Sequence, residues 1–346
     1  MSQSYKDNVY QLSEITTLAP GEKIEWVYED DYGGEQHLYK IENTIAMGET
    51  EFQSYAIFDT TAFGIVLFLD GYIQSAQKDE FIYHESLVQP AMLAHPNPKK
   101  VLVIGAGEGA TGREILYHPT VEQVVLIDLD KELIDLVRKH LKPIHQGAFD
   151  HPKVEVVFED GYSYLKNSQE KFDVIIIDVV DAIEEGPAQK LYTREFYQFL
   201  KTDCLTKDGI VVVQSMEMNE LDSRDDWHVY REMTHSFKHV CSYSSFVASF
   251  WAKWRYTIAS DVIDANTITE SQIDSVVSQR GIDKKLLYID GETFCTMRGM
   301  SKIARKLLTK ALNNQHSSNQ EADLSDHFID WDPDAHRSLF KNKMLD

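Results

Sequence analysis

Residues Val101 to Asp130 read VLVIGAGEGATGREILYHPTVEQVVLIDLD, and this stretch decides the fold. Val101-Leu102-Val103-Ile104 is a short continuous apolar run, of the kind that lies as a parallel strand buried on both faces. Gly105-Ala106-Gly107-Glu108-Gly109-Ala110 follows, where glycines allow backbone angles closed to other residues and a close approach to a ligand. A helix is expected from Thr111 to Tyr117, and a second apolar run, Val124 to Ile127, ends in Asp128 and Asp130. Strand, glycine loop, helix, strand and acid in that order make a nucleoside-binding βαβ unit. The acid stands about 20 residues beyond the glycines, where a carboxylate can take both ribose hydroxyls. No Gly-Lys-Ser/Thr follows the loop, which excludes a phosphate-cradling P-loop.

Upstream, Lys23 to Gln77 alternates in strand fashion, with turn signals at Gly33-Gly34, Gly48, Gly64 and Asp70-Gly71. The last reads as a two-residue hairpin turn, and the whole as a small antiparallel β domain. Asp79 to Ala94 turns helical and is stopped by Pro96 and Pro98. Downstream, Asp130 is placed to cap a helix with an inward stripe of Leu133, Ile134, Val137 and Leu141. Further strands are expected at Val154–Phe158, Phe172–Ile177, Gly209–Gln214, His239–Val247 and Arg255–Ile258, with helices at Thr193–Cys204 and Trp227–Phe237 between them. Strands alternating with helices predict an α/β fold, a Rossmann-like doubly wound sheet of the methyltransferase type. The expected division is 1–80 for an N-terminal arm and the small β domain, 81–262 for the Rossmann-like catalytic domain, and 263–346 for a C-terminal helical extension and tail.

The chain has 346 residues, 43% hydrophobic and 26% charged, ordinary proportions for a soluble globular protein. No apolar run approaches the ~20 residues of a membrane span, and the polar start MSQSYKDNVYQLSE lacks the apolar core of a secretory signal. Three unpaired cysteines, Cys204, Cys241 and Cys295, fit a reducing cytosol and argue against a zinc site. A cytoplasmic location and no metal are therefore expected. The net charge of −22 repels nucleic-acid phosphates and suits either solubility or a cationic substrate; it has meaning for function only where acids converge.

They converge at the strand ends. Ligands of doubly wound sheets bind beyond the carboxyl ends of the strands, and that is where Glu108, Asp128, Asp160, Asp178 and Asp181 fall. Like charges brought together cost energy without a cation among them. S-adenosylmethionine-dependent methyltransferases share this sheet and loop, but their cofactor carries a carboxylate. Glu108, inside the glycine loop, would oppose it at a cost of about 1–4 kcal/mol at ~4 Å. Decarboxylated S-adenosylmethionine, with an ammonium alone at that end, would be attracted. The other reading of Glu108 is as a cap for the helix at Ala110 or Thr111.

At these residues the chain resembles the polyamine aminopropyltransferases, the spermidine and spermine synthases. The likeness runs over most of Trp26 to Asp261. It rests on Leu69-Asp70-Gly71-Tyr72-Ile73-Gln74, Asp79-Glu80-Phe81-Ile82-Tyr83-His84-Glu85, Gly105 to Gly109, Asp160-Gly161 and Asp178 to Asp181. Tyr83-His84-Glu85, Glu108 and the stretch Gly186 to Thr193 resemble the thermospermine synthases and the bacterial and archaeal enzymes that accept long amines or agmatine. The resemblance implies aminopropyl transfer from decarboxylated S-adenosylmethionine to spermidine, giving thermospermine. Agmatine or putrescine as acceptor, or a methyltransferase, are the alternatives.

By the same resemblance, Gln53 and His84 flank the donor beside Gly105 and Gly107, Asp128 binds ribose, Asp160 and Gly161 contact adenine, and Glu108 and Asp178 hold the aminopropyl ammonium. Asp178 and Tyr83 would carry the chemistry at the attacking amine. Asp181, Tyr83, Trp26, Phe250 and Trp254 would bind the acceptor, although the aromatic residues are equally readable as core. Ala182 stands where the family usually has proline, which puts acceptor choice in doubt. A homodimer or homotetramer is implied, with no nucleic-acid or membrane partner.

Overall fold

The computed structural model describes residues 9–11, 25–30, 36–105, 107–179, 187–218 and 227–313. The N-terminal sheet is antiparallel, with strands side by side in sequence order: β1 (Val9–Gln11), β2 (Glu25–Asp30), β3 (Gln36–Glu49), β4 (Ser54–Thr60), β5 (Gly64–Leu69) and β6 (Tyr72–Ala76). Asp70 and Gly71 both have positive φ, 48° and 92°, with Leu69 opposite Tyr72. That is the left-handed geometry a two-residue hairpin demands. β4 is buried on both faces. Ala56 and Phe58 pack with Val27, Tyr39 and Phe68, while Ile57 joins Leu67 and Leu69 in the main core.

Helix α1 (Glu80–Ala94) runs from this sheet into the second one. Twelve of its fifteen residues are buried, so it shows no single apolar stripe and carries polar side chains inward on several sides. The second sheet contains β7 (Lys100–Ile104), β8 (Gln123–Asp128), β9 (Val154–Phe158), β10 (Phe172–Ile177), β11 (Leu205–Glu217), β12 (His239–Val247) and β13 (Ala252–Ser260), in the order β12-β13-β11-β10-β7-β8-β9. β9, β8, β7, β10 and β11 are parallel; β13 runs antiparallel to β11 and β12. Along β7, Val101 and Val103 enter the core on one face of the sheet and Leu102 and Ile104 the core on the other. The continuous apolar run is therefore explained by helices covering both faces.

The helices are α2 (Ala110–Leu116), α3 (Lys131–His140), α4 (Lys142–His145), α5 (Gly161–Asn167), α6 (Arg194–Phe199), α7 (His228–Thr234), α8 (Glu270–Arg280), α9 (Gly291–Met297) and α10 (Lys302–Asn313). Asp130 caps α3 by accepting the Leu133 N–H at 2.9 Å. The chain enters the sheet at β7, moves outward through β8 and β9, then returns to the other side of β7 with β10. The strand order thus reverses between β7 and β10, with Ile104 in register with Ile177. A ligand crevice belongs at that switch point. The segment after β13 docks onto α1. Ile273, Val277, Ile289 and Phe294 join its core, Glu85 accepts the N–H groups of Leu287, Tyr288 and Ile289 at 2.7–2.9 Å, and Arg280 donates to the carbonyls of Met92 and His95 at the helix end.

The expected helix from Thr193 to Cys204 is α6 followed by a wider π turn over Leu200–Cys204. The final strand is longer than its apolar run suggests: it begins at Ala252, just after Trp251 turns the chain with φ 56°. Asp181, Ala182 and the tail from His327 to Phe340 lie outside the described residues. Among the described residues no helix is long and apolar enough to cross a membrane.

Candidate active site

At the switch point the backbone leaves no room to spare. Gly105 has φ +84°, and a Cβ there would stand 2.1 Å from the Asp178 carbonyl oxygen. The Asp178 N–H is tied to the Ile104 carbonyl at 2.8 Å. Gly109, at φ +73°, starts α2 against the Phe149 ring. Gly161 packs on Ile104, where a Cβ would meet Cγ2 at 2.5 Å. The loops after β7, β9 and β10 are drawn together by these contacts. Gly107, in contrast, has open space around its missing Cβ, as a loop facing a ligand requires.

Asp178 is held at both carboxylate oxygens. Tyr83 Oη donates to Oδ1 at 2.7 Å and Thr111 Oγ1 to Oδ2 at 2.6 Å. Burial, with Asp178 beside it, raises the Tyr83 phenol well above its ordinary range, so it stays a donor. The Tyr83 ring lies in an aromatic cluster, 5.7 Å from Phe250, 6.3 Å from Trp254 and 5.7 Å from Tyr256. Trp254 Nε1 donates to Gln214 Oε1 at 3.1 Å, and Gln214 Nε2 donates to the Val179 carbonyl at 2.6 Å. One side chain therefore couples the aromatic wall to the backbone just beyond Asp178.

His84 is one residue along α1. Its Nδ1 faces the Glu80 carboxylate at 2.9 Å, and Glu80 takes both Arg113 amino groups at 2.6 and 2.9 Å. All three side chains are buried. Burial alone would push the imidazole down, but the Glu80 hydrogen bond and the charges of Glu80, Glu108 and Asp178 raise it to about 9. His84 is thus an imidazolium at neutral pH. Glu108 does not cap α2: Gly109 holds the cap position, without a side-chain cap bond. Burial pushes the Glu108 carboxyl up to about 7; the His84 charge opposes this, and Asp178 and Asp128 add to it. A half-buried carboxyl among other acids is a site prepared for a cation.

On the other side of β7, Asp128 accepts the Asp130 N–H at 2.9 Å, and Gln53 donates to Asp130 at 3.1 Å. Gln53 thus stands at the β8 end beside the cap residue. Asp160 caps α5 through Ser163, and Lys190 Nζ reaches it at 2.8 Å. Partial burial would raise the Asp160 carboxyl, but Lys190 and Ser163 hold it below the usual range.

The fold therefore gathers Gly105, Gly107, Glu108, Asp128, Asp160, Gly161 and Asp178 along the carboxyl ends of four strands. It brings Tyr83, His84, Phe250 and Trp254 to the same crevice. Trp26 lies on β2 in register with Lys40, on the strand face opposite Val27; other residues form the rings around Tyr83. Thr111, Gln214, Tyr256, Lys190 and the Glu80–Arg113 pair were not singled out from the sequence. A hydroxyl two residues past the glycine loop was the signal for Thr111. The others are joined by contacts over long separations, which spacing cannot reveal.

The sequence matches the Spermine/spermidine synthase domain over residues 80–270 and the Spermidine synthase tetramerisation domain over residues 25–77. It is 42% identical over 293 residues to Polyamine aminopropyltransferase 2 of Pseudomonas aeruginosa, spanning 85% of this chain and 84% of that one. It is 40% identical to Polyamine aminopropyltransferase of Sulfurisphaera tokodaii, spanning 83% and 93%. Thermospermine synthase ACAULIS5 of Arabidopsis thaliana is 37% identical, spanning 79% of each chain. A crystal structure of spermidine synthase in complex with the transition-state analogue AdoDATO superposes with a TM-score of 0.75 at 34% identity, covering 82% of this chain and 95% of the other. The chain belongs to the spermine/spermidine synthase family of polyamine aminopropyltransferases, transferases whose co-substrate is decarboxylated S-adenosylmethionine.

Proposed function

We propose that this protein moves the aminopropyl group of decarboxylated S-adenosylmethionine onto spermidine, releasing 5′-methylthioadenosine and forming thermospermine. The observation that carries the choice of a polyamine acceptor is the aromatic cluster beside Asp178. Tyr83 meets Phe250, Phe250 meets Trp254 at 5.2 Å, and the neighbouring Ser249 carbonyl accepts from Tyr39 of the N-terminal sheet at 2.8 Å. Such a wall suits methylene segments and bare ammoniums by apolar and cation–π contact. Similarity to a thermospermine synthase supports the same choice.

In this reading the donor lies across the switch point, with its ribose on Asp128, its adenine by Asp160 and Gly161, and Gln53 and His84 at its flanks. Its ammonium sits between Glu108 and Asp178. The acceptor extends along Phe250 and Trp254; Trp26, on the β2 face opposite Val27, takes no part in that wall, and Asp181 is assigned to a second ammonium by the family resemblance alone. A protonated amine has no lone pair, so the attacking nitrogen first gives a proton to Asp178, directly or through water. The nitrogen–carbon bond then forms as the carbon–sulfur bond breaks, and the sulfonium leaves as a neutral thioether with that electron pair. Tyr83 orients the nitrogen, and alignment supplies much of the rate. The tetramerisation domain match supports a homo-oligomer, a dimer or a tetramer.

The test is product analysis with decarboxylated S-adenosylmethionine and putrescine, agmatine, norspermidine or spermidine, each alone. Methylthioadenosine with a spermidine product co-migrating with thermospermine is the expected result. Turnover with short amines alone would overturn the acceptor assignment while leaving the chemistry intact.

A further inference from the structure

We infer that Thr111 is a positioning residue for the transfer step, acting through Asp178; the inference rests on the reading of Asp178 given above. Thr111 belongs to the first turn of α2 and is only 3% exposed. Its hydroxyl does not bond back into its own helix. It crosses the switch point and donates to Asp178 Oδ2 at 2.6 Å. Tyr83 Oη approaches the other oxygen from α1 at 2.7 Å, and the Asp178 backbone is fixed by the Ile104 carbonyl. Asp178 is therefore held at three points by three elements: its carboxylate by α1 and α2, and its backbone by the end of β7.

An ionised carboxylate accepts about four hydrogen bonds, two at each oxygen. The two hydroxyls occupy one direction on each oxygen and fix the plane of the group. The remaining directions are what a substrate ammonium meets. A lone pair must point along the carbon–sulfur bond within about 10–20°, so a carboxylate free to turn about its χ angles would spread the amine over unproductive orientations. Tyr83 alone leaves such a rotation possible; the bond from Thr111 stops it. Tyr83 is also part of the aromatic wall, so its removal confounds packing with orientation. Thr111 is enclosed and reaches the reaction through Asp178.

The experiment compares Thr111→Val, which keeps the shape and removes the donor, with Thr111→Ser, which keeps the donor, and with Asp178→Asn as reference. Each is measured for kcat, KM of both substrates, donor affinity by calorimetry and melting temperature. Thr111→Val is expected to lose about tenfold to a hundredfold in kcat, the range for a hydrogen bond to a charged group, with a smaller loss of the donor affinity that Asp178 helps supply and a fall in melting temperature no larger than that of Asp178→Asn. Thr111→Ser should recover to within about threefold of wild type. If Thr111→Val keeps wild-type kcat while Asp178→Asn is inactive, the positioning role is wrong and the reading of Asp178 stands. If Thr111→Ser is as slow as Thr111→Val, the methyl and not the hydroxyl matters, and the inference falls. If Asp178→Asn itself turns over normally, both fall together.

Discussion

Replacing Gly105 by alanine tests the closeness of the two strand ends on which the site depends. Two costs add. A Cβ at φ +84° is in the left-handed region, which disfavours any other residue by roughly 1–2 kcal/mol. The new carbon would also stand 2.1 Å from the Asp178 carbonyl oxygen and 2.6 Å from its carbon. Ordinary contact begins at 3.4 Å, and both atoms are backbone, so no side chain can swing aside. The loop after β7 and the end of β10 must separate by about 1 Å, and a shift of that size near reacting atoms costs about a hundredfold in rate. We expect Gly105→Ala to lower kcat by at least that factor in a methylthioadenosine-release assay, and to lower the melting temperature by several degrees. Gly107→Ala is the control. With open space around its Cβ, it should leave the melting temperature unchanged within the range of ordinary surface substitutions, about 0.5 kcal/mol, and should alter donor affinity alone. A Gly105→Ala enzyme with wild-type kcat and melting temperature would refute the argument that this glycine exists to let the two strand ends meet.

Further predictions concern charge and the acceptor wall. With the Glu108 carboxyl at about 7, the attraction for the donor's ammonium proposed above would be present above that pH and lost as pH falls through it. The donor KM should therefore rise toward acid, and Glu108→Gln should flatten this dependence. His84, raised to about 9 by Glu80 against its burial, contributes stability that is fully present below its unfolded value of about 6.5 and is lost as pH rises through about 9. Glu80→Gln should abolish that alkaline decline in melts across pH 6 to 10. It should also cost about 3–5 kcal/mol at neutral pH, since it leaves the buried Arg113 short of a partner. Trp254→Ala should raise the acceptor KM by about tenfold, in line with the loss of one desolvated cation–π contact, and hardly change the donor KM. An unaltered acceptor KM would return Trp254 to the core.

The parts of the fold that were legible in the sequence are those fixed by local chemistry. Val101 to Asp130 announces itself because a strand buried on both faces must be apolar throughout, and because its glycines precede a helix. Asp70-Gly71 reads as a turn because that geometry selects those residues, and Asp130 reads as a cap because a helix start needs an acceptor. The site was legible to the extent that acids at strand ends converge by topology. What escaped was pairing across distance. Glu80 stands out in the sequence only as part of a motif, and Arg113 and Glu114 not at all, yet the three form a buried network at 2.6–2.9 Å. Asp160 gave no sign of Lys190, 30 positions away. The inward polar residues of α1 were hard to assign because that helix is buried on nearly every side, and the periodicity that sorts inside from outside is then absent.

The most direct test of the central claim is a competition. Purified protein is given decarboxylated S-adenosylmethionine and equal concentrations of spermidine, agmatine and isotopically labelled putrescine, and the initial products are separated and quantified by mass spectrometry. Their ratio is the ratio of kcat/KM values for the three amines. The account predicts thermospermine as the dominant product, with methylthioadenosine in equal amount. Dominant aminopropylagmatine, or spermidine newly formed from putrescine, would contradict it.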